Sequence, residues 1–253
     1  MKNFWQVIDE SKLKLNPDAL LYKAIPQFFM EIMAKYFRLQ IEGVEHLPKT
    51  GSALIAPNHS GYAGLDAMLL SYVIHQKTGR LPQVLTHRFW FLSKATAVPA
   101  NRLGFVDATK ANGIKHLKNK EIVVLFPEGE FGNFKPSTKA YRLQEFKRGF
   151  VRMAIKTGAP IVPTIVIGAE ETHINLSQLK FSKYLRGLIL PLPLNILPLP
   201  AKWKIRFLEP IRLPYNADAT EDSELVHEVS ADLRERMQAA INEELRKRDS
   251  IYF

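Results

Sequence analysis

The sequence predicts an α/β fold: a central, largely parallel mixed sheet flanked by helices, with an amphipathic helical segment in front. Three observations lead there. From Gly43 onward, short apolar runs alternate with helical stretches, the rhythm of strand–helix–strand units. The run Ile122-Val123-Val124-Leu125-Phe126 is apolar at every position, as suits a strand covered on both faces. Ahead of this region, apolar residues recur at helical spacing. The 253 residues therefore divide into 1–40, amphipathic helices suited to a membrane interface, and 41–253, one α/β domain with a C-terminal helix.

The elements follow in chain order. Across 18–39, Leu21, Ile25, Phe28, Phe29, Ile32, Met33, Tyr36 and Phe37 form one apolar stripe, and Pro26 should kink or split the helix. Lys12, Lys14, Lys23, Lys35 and Arg38 flank the stripe, so it either lies in a lipid interface or packs on the protein's own core. Strands are expected at 53–56, 83–86, 105–106, 122–126, 161–167 and 203–207. Helices are expected at 65–75, 110–117, 144–157 and 221–248. Residues 187–200, GLILPLPLNILPLP, break the rhythm with four prolines. They read as an apolar, stiffened loop that covers the core or offers a patch to a ligand or membrane.

Composition narrows the classes. Hydrophobic residues at 46% and charged residues at 24% are globular values and exclude a disordered chain. With no cysteine, disulfides and thiolate metal sites are excluded, which fits a reducing compartment. No apolar run approaches the roughly 18–20 residues of a spanning helix. The opening MKNFWQVIDESK lacks the apolar core and cleavage site of a secretory signal. The expectation is a peripheral protein on the cytoplasmic face of a membrane. The net charge of +10 is uneven, because residues 218–244 carry nine acids and only two bases. The basic remainder suits an anionic partner, with a solvated basic surface as the plainer alternative.

Four stretches stand where strands should end: PNHSGYAGLD (57–66), GFVDATK (104–110), FPEGE (126–130) and IVPT (161–164). In open α/β sheets, ligands bind outside the carboxyl ends of the strands. His59 titrates near neutrality and can take a proton from a hydroxyl, provided a carboxylate fixes its tautomer. Asp66 is the nearest carboxylate in sequence. Glu128, in a tight turn with Gly129, could accept hydrogen bonds from a substrate hydroxyl. Lys110, or the pair Lys147 and Arg148, could bind a phosphate. Singly, each has an ordinary reading as a turn residue or surface cation.

Their order is more specific. Asn58-His59…Asp66, then Gly104-x-Val106…Lys110, then Phe126-Pro127-Glu128-Gly129, then Val162-Pro163 resemble the four blocks of the glycerolipid acyltransferase family, which includes bacterial 1-acylglycerol-3-phosphate acyltransferases. The resemblance spans roughly residues 40–210 and extends to Phe146-Lys147-Arg148-Gly149-Phe150. It implies transfer of a fatty acyl group from acyl-CoA or acyl carrier protein to a hydroxyl of a lysophospholipid or related glycerolipid. No bound cofactor, metal or acyl-enzyme is implied. The implied roles fall on His59 as general base, Asp66 as its orienting carboxylate, and Asn58, Lys110, Glu128 and Gly129 as acceptor-binding residues. The implied partners are a lipid acceptor, the acyl donor and an anionic membrane surface.

Two features depart from the family pattern. The usual first block has four residues between histidine and aspartate; here there are six. On a continuous helix that spacing would separate the two by about 10 Å, beyond hydrogen-bond reach. The chain after His59 is therefore expected to loop, with Gly61 and Gly64 supplying backbone freedom and a helix starting near Leu65. The second block carries Lys110 where arginine is usual, a point charge in place of a bidentate fork. The competing reading is a catalytically inactive lipid- or membrane-binding protein on the same fold. No nucleic-acid-binding motif and no Gly-x-Ser-x-Gly elbow is present, so a nucleic-acid partner and a serine hydrolase are set aside.

Overall fold

The computed structural model of the chain describes residues 20–60, 64–181 and 188–253. A π-helical turn, Leu20–Ala24, leads into α1 (Ile25–Tyr36). Pro26 sits in the first turn of α1, where its missing N–H is tolerated, and the helical stretch divides there into two pieces as expected. The chain then runs β1 (Gln40–Glu42), β2 (Ala53–Pro57), α2 (Leu65–Thr78), β3 (Gln83–Thr86), α3 (Lys94–Arg102) and β4 (Phe105–Asp107). Next come α4 (Lys110–Lys118), β5 (Ile122–Val124), α5 (Glu130–Asn133), α6 (Gly149–Thr157), β6 (Ile161–Ile167) and α7 (Ala169–Thr172). The last elements are β7 (Asn175–Phe181), β8 (Leu188–Pro193), β9 (Lys204–Phe207) and α8 (Ser223–Lys247).

Seven strands form one sheet in the order β1-β9-β6-β2-β5-β3-β4. All neighbours are parallel except β6 and β9, so the sheet is mixed and mostly parallel. The apolar strands divide their side chains between two cores by the two-residue strand period. Ala53, Ile55, Ile122 and Val124 point into one core with Met33, Phe37 and Trp203. Leu54, Ala56 and Val123 point into the other, with Phe150 of α6 and Leu233, Met237 and Ile241 of α8. Burial on both faces is why β2, β5 and β6 carry no polar alternation.

Three expectations change. Residues 188–193 are a strand, not a loop: β8 pairs antiparallel with β7 in a separate two-stranded sheet. Each strand of a two-stranded sheet has a free edge, which tolerates the missing N–H groups of Pro191 and Pro193. The helix expected from residue 144 begins at Gly149, because residues 144–148 lack regular structure. The stripe of α1 divides as well. Met33 and Phe37 join the core, whereas Leu21, Ile25, Phe28, Phe29, Ile32 and Tyr36 are exposed. Gly61, Gly187 and the chain before Leu20 lie outside the described residues.

Candidate active site

β2, β5 and β6 run side by side, and the chain leaving each of their carboxyl ends supplies the site. At the end of β2, Asn58 is fully buried. Its Nδ2 donates to the Val166 carbonyl at 3.0 Å, and Val166 N donates to its Oδ1 at 2.7 Å. This grip on β6 fixes where the chain leaves β2. Both ends of the Asn58 side-chain amide are thus taken up by the backbone of β6.

His59 comes next and is mostly enclosed, its side chain 14% exposed. Its Nδ1 lies 2.7 Å from Oδ2 of Asp66, which is fully buried. Asp66 is the second residue of α2, and the helix opens at Gly64, whose backbone is left-handed at φ 72°. The carboxylate also accepts N–H groups from Ser60 at 3.0 Å and Ala67 at 2.8 Å. An ionised carboxylate on Nδ1 keeps the proton there and leaves Nε2 as the basic nitrogen. The Phe126 ring stacks on the imidazole, centroids 4.0 Å apart.

Glu128, from the turn after β5, is also fully buried. Its Oε1 accepts the backbone N–H of His59 at 2.9 Å, and its Oε2 that of Gln144 at 2.7 Å. Gly129 permits this turn with a backbone at φ 58°, ψ −147°. A side chain there would meet Lys147 Nζ, only 2.9 Å from the ideal Cβ position. Lys147 itself pairs with Glu130 at 2.6 Å. Against the upward push of partial burial, the hydrogen bond and charge of Lys147 hold the Glu130 carboxyl below its ordinary range.

Two participants carry no local signal in the sequence. Lys135 is buried, its Nζ 2.9 Å from Glu170 Oε1 and 3.6 Å from Glu128 Oε2. Glu170, in α7, is pushed up to about 7 by burial, against the pull of Lys135 and with a smaller push from Glu128. Beside them, Ser60, Glu170, His173 and Asn175 border a cavity of about 30 Å³. Burial also lowers the His173 imidazole. Only long-range packing unites residues 59, 128, 135 and 170.

Lys110 stands apart. It is exposed in the first turn of α4, beyond β4. Three strand spacings separate β2 from β4, about 14 Å. Among the described residues no group of three or more His, Asp or Glu could hold a metal ion.

Residues 38–167 match the family model described as Acyltransferase. The chain is 32% identical to an uncharacterized protein of Mycobacterium tuberculosis, over 97% of this chain and 72% of the relative. It is 29% identical to the 1-acyl-sn-glycerol-3-phosphate acyltransferase of Bacillus subtilis, over 58% of this chain and 72% of that protein. Its fold resembles the crystal structure of the 1-acyl-sn-glycerophosphate (LPA) acyltransferase PlsC from Thermotoga maritima. That likeness has a TM-score of 0.61 and 18% identity, and covers 97% of this chain and 89% of the other.

Proposed function

The chain belongs to the glycerolipid acyltransferase family, and we propose that it moves a fatty acyl group from an acyl thioester to a hydroxyl of a lysophospholipid or related glycerolipid. Acyl-CoA or acyl carrier protein serves as donor. The observation that carries the reading is the 2.7 Å contact between His59 Nδ1 and Asp66. With that proton fixed, Nε2 takes the proton of the acceptor hydroxyl as its oxygen attacks the thioester carbonyl. The tetrahedral adduct collapses, the C–S bond breaks, and the thiolate recovers the proton from the imidazolium. Asp66 stabilises the cationic imidazole between the two transfers. No step uses a metal, cofactor or acyl-enzyme.

Glu128 accepts the His59 backbone N–H, Asn58 ties the preceding residue to Val166, and Gly129 allows the turn that brings Glu128 inward. Lys110 offers its charge to an acceptor phosphate.

Residues 1–40 and the apolar stretch near residue 196 face a membrane in this reading, while 41–253 form the catalytic domain. Two observations support it. Phe28, Phe29 and Ile32 of α1 are about half exposed, and Ile196 and Leu197 are 78% and 80% exposed. Tyr36 donates to the Pro198 carbonyl at 2.7 Å, so the two apolar stretches adjoin. Among the described residues no helix is long and apolar enough to cross a membrane.

The test offers labelled acyl-CoA and acylated carrier protein with lysophospholipids, glycerol 3-phosphate and neutral alcohols, with mass spectrometry of the products. Turnover that disappears in His59→Ala is expected. Liposome binding without turnover on any acceptor would replace the reading with that of an inactive lipid-binding protein.

A further inference from the structure

The Glu128 carboxylate has a demanding task. It must accept the N–H of His59 on one oxygen and that of Gln144 on the other, with no exposure to water. An ionised carboxylate suits this pair of N–H donors best, because a protonated carboxyl makes one of its oxygens a donor and a weaker acceptor. A buried carboxylate is stable only with a cation or several donors beside it. Lys135 is the cation that the fold provides. Its side chain is 3% exposed, and it sits between Glu128 at 3.6 Å and Glu170 at 2.9 Å. Its backbone is pinned in turn, since Asn175 Nδ2 donates to the carbonyls of Phe134 and Lys135 at 2.8 and 3.0 Å.

We propose that Lys135 is a positioning residue for acyl transfer: its ammonium, shared between Glu128 and Glu170, holds Glu128 as the acceptor that fixes the His59 backbone. This rests on His59 being the base. Lys135 touches neither substrate nor imidazole and acts through Glu128. Glu170 is the balancing charge, and its removal leaves the ammonium with Glu128 alone.

Charge balance makes the idea separable from simple packing. In Lys135→Met, two buried carboxylates lose their shared cation, and Glu170, already raised to about 7 by burial, takes up a proton first. Glu128 is then a buried carboxylate with two N–H donors and no cation, so its hold on the His59 backbone loosens. Lys135→Arg keeps a cation between the two carboxylates.

Lys135→Met is expected to lower kcat on the order of a hundredfold, with KM for donor and acceptor within about threefold of the parent. Lys135→Arg, which restores a cation at that place, should stay within about tenfold of the parent. A second readout needs no substrate. The His59 amide proton, held by a carboxylate, should move upfield in the nitrogen-15 correlated NMR spectrum of Lys135→Met and stay near its parental position in Lys135→Arg. If Lys135→Met does not fold, Lys135→Gln, neutral and of similar length, decides by its kcat and its His59 amide position. An unmoved His59 amide in the folded neutral variant, or a Lys135→Arg as impaired as that variant, would overturn the proposal. Absence of turnover in the unaltered protein would sink the functional reading alone, and the amide shift would still decide the role of Lys135.

Discussion

Gly132 offers the sharpest test of how the site is held. It lies in α5, one turn beyond Glu128, and it is buried. A Cβ there would stand 2.4 Å from Glu128 Cβ, 2.8 Å from Cδ and 3.0 Å from Oε1. Helix propensity alone favours Gly132→Ala by about 1 kcal/mol. The steric effect opposes it and is larger. Ordinary carbon contacts need about 3.5 Å, so one of the two carbons must yield by about 1 Å. Glu128 cannot swing away, because it has no exposed surface and its oxygens hold His59 and Gln144. The displacement therefore passes to the His59 backbone. A misplacement of about 1 Å can cost on the order of a hundredfold in rate. Gly132→Ala should thus lose about that factor in kcat in the labelled-acyl assay. Far-ultraviolet circular dichroism should stay native and the melting temperature should not rise. A variant with parental kcat, or one simply stabilised, would show that Glu128 does not fix His59.

Asp66→Asn should lower kcat on the order of a thousandfold with folding preserved, because an amide N–H facing Nδ1 selects the wrong imidazole tautomer; steady-state kinetics check this, and a mild loss would mean another group orients His59. Glu170 binds its proton more tightly folded, at about 7, than its ordinary value of 4.5, so the folded protein loses stability as pH rises between those values. Glu170→Gln lacks that loss, so its melting temperature relative to the parent should improve from pH 5 to pH 8, by the equivalent of about 3 kcal/mol at most. The triple variant Phe29→Ala/Ile32→Ala/Leu197→Ala removes three exposed apolar side chains, each worth about 1 kcal/mol in a lipid interface. Flotation with anionic vesicles should show roughly a hundredfold weaker partition, and unchanged binding would place the lipid contact elsewhere.

Most of the sheet was legible in the sequence because it obeys local rules. The runs at 53–56 and 122–124 are apolar on both faces, those at 83–86 and 161–167 are short and rich in β-branched or apolar residues, and helical stretches separate them, so each could be recognised from its own window. β8 was missed for the converse reason: its prolines forbid a regular element unless a free edge is available, and only the pairing with β7 supplies one. β1, three residues long, and α3, with Pro99 inside it, carry too little pattern to announce themselves.

The site divides the same way. The order of its motifs identifies His59, Asp66, Glu128 and Gly129 as a group, and the chemistry of each residue type suggests its task. Spacing alone left the reach from His59 to Asp66 undecided, since seven positions along a helix would hold them about 10 Å apart. The tertiary structure closes that gap to 2.7 Å by starting α2 only at Leu65. It also turns Glu128 inward onto the His59 backbone, spends Asn58 on Val166, and brings Lys135 and Glu170 together from distant segments. A sequence window records what a residue can do. Which buried charges stand beside it is set by strand register and loop packing across many residues, and only the folded chain decides that.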